Sequence, residues 1–128
     1  MKIIDMKNIK SPNGEAATFQ GFEHGANVSF FVVNFSSGKG PKKHRHPYEE
    51  TFIILDGEIE AVIDGEIQVL GSDTIAIIPA ETWHEFKNRS EKIVRLVNIH
   101  PRLKNDHGVG VAFICMEFQY DIYSTISY

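Results

Sequence analysis

The chain has 128 residues, of which 42% are hydrophobic and 23% charged, with a formal net charge of −4 at pH 7. That length suits one domain able to bury a core without staples. The acidic balance argues against a general nucleic-acid binder, which needs surplus Lys and Arg to neutralise phosphates. The one cysteine, Cys115, can form no internal disulfide, so folding does not call for an oxidising compartment. No run of about 18 apolar residues is present to span a membrane. The opening MKIIDMKNIK lacks the apolar stretch of a signal peptide. The expected location is the cytoplasm, with neither nucleic acid nor membrane as a partner.

In chain order, GEAATFQGFE (14–23) and NVSFFVVNFSSG (27–38) predict two strands. EETFIILDGEIEAVIDGEIQVLGSDTIAIIP (49–79) follows, with Asp56-Gly57 and Asp64-Gly65 each between β-rich runs. Both dipeptides favour tight hairpin turns. Ile59, Ala61 and Ile63 alternate with Glu58, Glu60 and Val62, and Ile67 and Val69 alternate with Glu66 and Gln68. A period of two puts one face in a core and the other nearer water. Gly71-Ser72-Asp73 makes the next turn, and TIAIIP (74–79) is a further strand. KIVRLVNIH (92–100) predicts another, PRLKNDHGVG (101–110) an irregular loop, and VGVAFICMEFQY (109–120) a last strand. Short strands at this turn-punctuated spacing imply an all-β sandwich or barrel.

The chemistry-bearing residues gather in HRHPYEE (44–50). His44 and His46 are two apart, so on an extended chain they share a face. Glu50 has the same parity, as do Phe52 and Ile54, so an inward face for those apolar residues carries His44, His46 and Glu50 inward too. Glu49 has the opposite parity and reads as a solvated carboxylate. His84 is a fourth candidate that parity alone cannot bring to the others. Three imidazoles and a carboxylate suit Mn, Fe, Co, Ni, Cu or Zn and leave two positions open on an octahedral ion. Against this stands the bland reading of surface histidines before a strand.

Gly38, five residues, His44-x-His46, three residues, Glu50, six residues and Gly57 resemble the first motif of the cupin superfamily at every position. Pro79, His84 and Asn88 match the second motif in spacing. Asp73 and Glu81 depart from it, standing where glycines are usual. The resemblance covers residues 28–100. It implies a single cupin domain over 1–128: an antiparallel jelly-roll β-barrel of six to eight strands, flanked by N- and C-terminal strands, with metal in its mouth. It also implies one divalent transition metal per chain, held by His44, His46, Glu50 and His84.

Other residues admit two readings. Phe52, Ile54, Ile63, Phe86 and Val69 either line a cavity or pack a core. Tyr48 and Trp83 wall a pocket or are packed or dimer-buried aromatics. Asn98 and His100 share a parity that would put them inside, where His100 would act as acid/base or substrate contact. Arg95 and the cluster Lys39, Lys42, Lys43 and Arg45 attract an acidic ligand or are merely solvated. His24 and His107 have no supporting context.

The resemblance implies a metal-dependent enzyme on a small, anionic or chelating organic substrate, of dioxygenase, isomerase or lyase/decarboxylase class. The alternatives are a non-catalytic small-molecule or sugar-binding sensor and an interaction protein with a vestigial site. TFIIL (51–55) is apolar on both faces, which implies a second sheet or a homodimer covering its outer side. The aromatic segment 113–128 would be an edge strand or an arm on a partner.

Overall fold

The computed structural model describes residues 1–101. The strand expected at 109–120, the loop beyond Pro101 and the aromatic arm lie outside the described residues. Eight strands follow a 3-10 turn at Met6–Ile9: β1 (Ala16–Phe19), β2 (Val28–Phe35), β3 (Glu50–Asp56), β4 (Ile59–Ile63), β5 (Glu66–Leu70), β6 (Thr74–Ile78), β7 (His84–Lys87) and β8 (Val94–Pro101). A one-turn helix, α1 (Gly21–His24), joins β1 to β2. One sheet has the order β1-β2-β8-β3-β6 and the other β5-β4-β7, with every pairing antiparallel. Together they form a jelly-roll barrel, as expected.

The interior is layered from apolar to polar. Pairing aligns Phe35 with Val94, then Val33 with Leu96 and Ile54, then Phe31 with Asn98 and Phe52. Ser29 and His100 pair one row further, at the end of the barrel where β3 begins with Glu50. The first rows join Ile59, Ala61, Ile78 and Phe86 in one core cluster, and Phe52 stacks on Phe86 across the two sheets at 4.1 Å between ring centroids. The alternation of β2, β3 and β8 thus builds a dry floor beneath a polar rim.

Two turn expectations diverge. Asp64-Gly65 closes a two-residue hairpin between β4 and β5, with φ of 50° and 84°, the pair of positive values a type I′ turn requires. Asp56-Gly57 makes no hairpin. β3 and β4 belong to different sheets, so the dipeptide carries the chain across, and Ser72 Oγ bridges it by accepting from Gly57 N–H and donating to Gly57 C=O.

β5 keeps its alternation but inverts its face. Glu66, Gln68 and Leu70 pair with the inward Ile63, Ala61 and Ile59, so Ile67 and Val69 point outward and are exposed. Val69 is therefore no cavity residue: on β5, an edge strand among the described residues, only Leu70 is buried.

Asp73 and Glu81 adopt φ of 64° and 61°, so the turns persist without the usual glycines. Backbone hydrogen bonds hold both residues there, from Asp73 N–H to Ile54 C=O and from Glu81 N–H to His46 C=O, each 2.8 Å. The second bond ties the β6–β7 turn to the histidine segment.

Candidate metal centre

The segment before β3 reaches the site by pairing with β7. Asn88 N–H donates to Lys39 C=O, Phe86 N–H to Pro41 C=O, and His44 and His84 exchange both backbone bonds at 3.0 Å. That close run needs Gly40: a Cβ there would lie 2.0 Å from the Phe86 carbonyl oxygen. β7 was not legible as a strand, yet His84, Phe86 and Asn88 share the parity that should have flagged it. Asn88 fastens its end, donating through Nδ2 to the carbonyls of Phe35 and Lys92.

His44, His46, Glu50 and His84 are all buried, and one ligand atom from each lies within 4.8 Å of the others. The three histidines are held alike. Nδ1 of His44 lies 2.6 Å from Lys42 C=O, Nδ1 of His46 2.9 Å from Tyr48 C=O, and Nδ1 of His84 2.7 Å from Thr82 C=O. A carbonyl only accepts, so each Nδ1 carries the proton and, in neutral imidazole, Nε2 is left as a bare lone pair. Fixing the ligand nitrogen through the opposite N–H is how metal-binding imidazoles are oriented.

Those lone pairs face a carboxylate. Glu50 Oε2 lies 3.4 Å from His46 Nε2, and Glu50 Oε1 lies 3.5 Å from His84 Nε2. Acceptors facing acceptors call for a cation between them, and ligands on adjacent sites of a metal ion sit roughly 3 Å apart, given bonds of about 2.1 Å. Glu50 Oε1 and His84 Nε2 have no hydrogen-bond partner among the described residues. The residues therefore fit a single divalent ion.

Burial alone would raise the Glu50 carboxyl, but the facing edges of His46 and His84 and the field of His100 hold it below the usual carboxylate range. Burial, and then the neighbouring His84, push His44 down to about 4. Burial likewise takes His100 to about 4, against the pull of Glu50. Below the unfolded value of 6.5 the unfolded chain binds protons that these two folded imidazoles refuse. Stability of the metal-free protein is therefore whole above pH 6.5 and lost as pH falls towards 4, with Glu50 extending the loss below that. The urea midpoint should drop steadily from pH 7 to 4; an unchanged midpoint would contradict this.

His100 is fully buried but differs from the other three histidines. Its Nδ1 meets the Tyr48 hydroxyl at 3.1 Å, a group that both donates and accepts, so the structure leaves its tautomer free. Its Nε2 lies 3.8 Å from Glu50 Oε2. Tyr48 stacks flat on His46 at 4.0 Å. The Tyr48–His100 pairing spans 52 residues and was not legible in the sequence.

Asn98 is fully buried beside Phe52, and Ile54 and Phe86 are core, while Ile63 is half-buried at the core's edge. Trp83 is 43% exposed, with Lys43 and Arg45 over its ring. The tight turn before β7 points it away from His84. It lines a hollow of about 120 Å³ with Lys43, His84 and Glu85. The basic cluster is partly engaged there, since Arg45 also pairs with Glu81 at 3.6 Å. Glu49 and Arg95 are exposed, as parity implies.

The sequence pattern described as Cupin domain matches residues 31–100. A polyketide synthase, CurC, of Streptomyces cyaneus is 34% identical over 103 residues, 75% of this chain and 66% of that protein. The chain thus spans just under two thirds of that relative's length. Among solved structures, the Schizosaccharomyces pombe Cnp3 cupin domain superposes with a TM-score of 0.59 at 22% identity, over 68% of this chain and 64% of that one. AerE of Microcystis aeruginosa gives 0.56 at 25% identity, over 59% and 36%.

Proposed function

Since the chain belongs to the cupin family, we propose that it is a metal-dependent enzyme acting on a small, oxygen-rich organic substrate at His44, His46, Glu50 and His84. The observation that carries this is the trio of Nδ1–carbonyl locks, which aims three imidazole lone pairs at one carboxylate. The cofactor is one divalent transition metal ion per chain, drawn from Fe, Mn, Ni, Zn, Co or Cu. Bound there, it would supply Lewis acidity to a chelating carbonyl or enol. The likeness to a protein named polyketide synthase supports a carbonyl-rich substrate of polyketide type. The reaction classes that fit are dioxygenation, isomerisation and lyase or decarboxylase chemistry.

The protein's own groups have distinct tasks in this reading. Glu50 balances the charge of the ion. Phe52 and Phe86 keep the floor dry, which strengthens every polar contact above it. His100 holds or moves a proton at Nε2, with Tyr48 orienting its ring through the hydroxyl. Elemental analysis of purified protein should find about one such ion per chain; none after reconstitution overturns the proposal. Polycarbonyl compounds should then be converted. Ligand-dependent thermal stabilisation without turnover would instead mark a binding module.

A homodimer completes the proposal. Ile75 and Ile77 of edge strand β6 are exposed on the outer side of the five-stranded sheet, next to Thr51 and Ile53 of β3. An apolar row at an edge that pairs with no further strand among the described residues suits a second copy. Light scattering should give twice the chain mass, and Ile75→Lys should halve it; a monomer at every concentration contradicts this.

A further inference from the structure

A metal ion accounts for the unpartnered Glu50 Oε1 and His84 Nε2, but other atoms remain. Both Nδ2 and Oδ1 of Asn98, and Nε2 of His100, have no hydrogen-bond partner among the described residues, and both side chains are fully buried. They stand two apart on β8 and so share its inward face. Register puts Asn98 against Phe52 and Phe31, one row beneath the His100 end of the barrel. Two residues of strand span about 7 Å, the reach of a small molecule.

A carboxamide walled by two phenylalanines is costly when unpaired, since it loses water and gains nothing in return. An apolar side chain would pack this row better. The amide presents a donor and an acceptor side by side, and a planar group with one accepting and one donating oxygen uses both. A carboxylate lacks the donor, and an isolated ketone lacks it too.

We propose that Asn98 determines specificity: with His100 it forms a hydrogen-bonding wall that reads the enolised 1,3-dicarbonyl end of the substrate. This deepens the enzyme reading above, which supplies the carbonyl-rich class, and rests on it. The Asn98 carbonyl accepts from the enol O–H while its N–H donates to the neighbouring carbonyl, and His100 Nε2 stands without a hydrogen-bond partner among the described residues in the row above.

The test is calorimetric titration of metal-loaded protein with pentane-2,4-dione, beside pentan-2-one, which has one carbonyl only. The wild type should bind the dione. Asn98→Leu should weaken this at least tenfold, leave the bound metal at about one ion per chain, and raise the melting temperature of the ligand-free protein. Pentan-2-one should not distinguish the two proteins. Asn98→Asp, nearly isosteric but without the N–H₂, should also weaken dione binding and covers a failure of the leucine variant to fold. Unchanged dione affinity in either variant overturns the proposal, as does a wild type blind to the dione. A lower melting temperature with unchanged binding would assign the amide to an internal water. Loss of metal from the wild type would sink the enzyme reading and is scored separately, by elemental analysis before titration.

Discussion

Replacing His46 by alanine is expected to take bound metal from about one ion per chain to background. His46 supplies one of four converging ligand atoms, and its Nε2 is among the nearest to Glu50. Loss of an outer hydrogen-bond partner alone costs about 10- to 100-fold in metal affinity. Loss of a direct ligand should exceed that, and it also frees a Glu50 oxygen to drift. The fold should survive, because the floor of the barrel is built from Phe31, Phe52, Phe86 and Leu96, not from the histidines. Elemental analysis with circular dichroism checks both halves. A variant with the wild-type spectrum and a full complement of metal would remove His46 from the ligand set.

Gly40→Ala should be nearly as damaging by another route. The added Cβ would come within 2.0 Å of the Phe86 carbonyl oxygen and 3.0 Å of Lys87 Cα, both backbone atoms that cannot rotate away. The 39–44 segment must then lift from β7, lengthening the paired bonds between His44 and His84. Overpacking of this kind typically costs about 1–3 kcal/mol. The expected result is a fall in stability of that order, together with weakened metal binding, although no ligand side chain has changed. Denaturant titration and metal competition with a chelator would read the two effects. Wild-type behaviour in both would show that the segment docks by another path.

What the sequence made legible follows from parity. His44, His46 and Glu50 fall on one face with Phe52 and Ile54, and all five are buried. Glu49 goes outward for the same reason. The rest needed contacts that local spacing does not encode. His84 arrives through a four-residue strand too short to announce itself, and its partner is an irregular segment held by Gly40. Trp83, one residue away, is open to two readings in the sequence, and it stands 43% exposed beside the buried His84. Asp56-Gly57 and Asp64-Gly65 look alike locally, but only the sheet each flanking strand joins separates a crossing from a hairpin. Ile67 and Val69 show a further limit: alternation reveals that a strand has two faces, and on a short edge strand it does not say which one the barrel covers. The spatial meeting of Tyr48 with His100 depends on the closure of β3 against β8, which no local pattern contains.

The carbonyls of Lys42, Tyr48 and Thr82 have a consequence for how the centre is filled. Each neutral imidazole already carries its hydrogen on the nitrogen turned away from Glu50. Uptake of an ion by that form therefore requires no tautomer exchange at any of the three rings. The rings are thus turned toward the ion while the polypeptide folds rather than when the ion arrives.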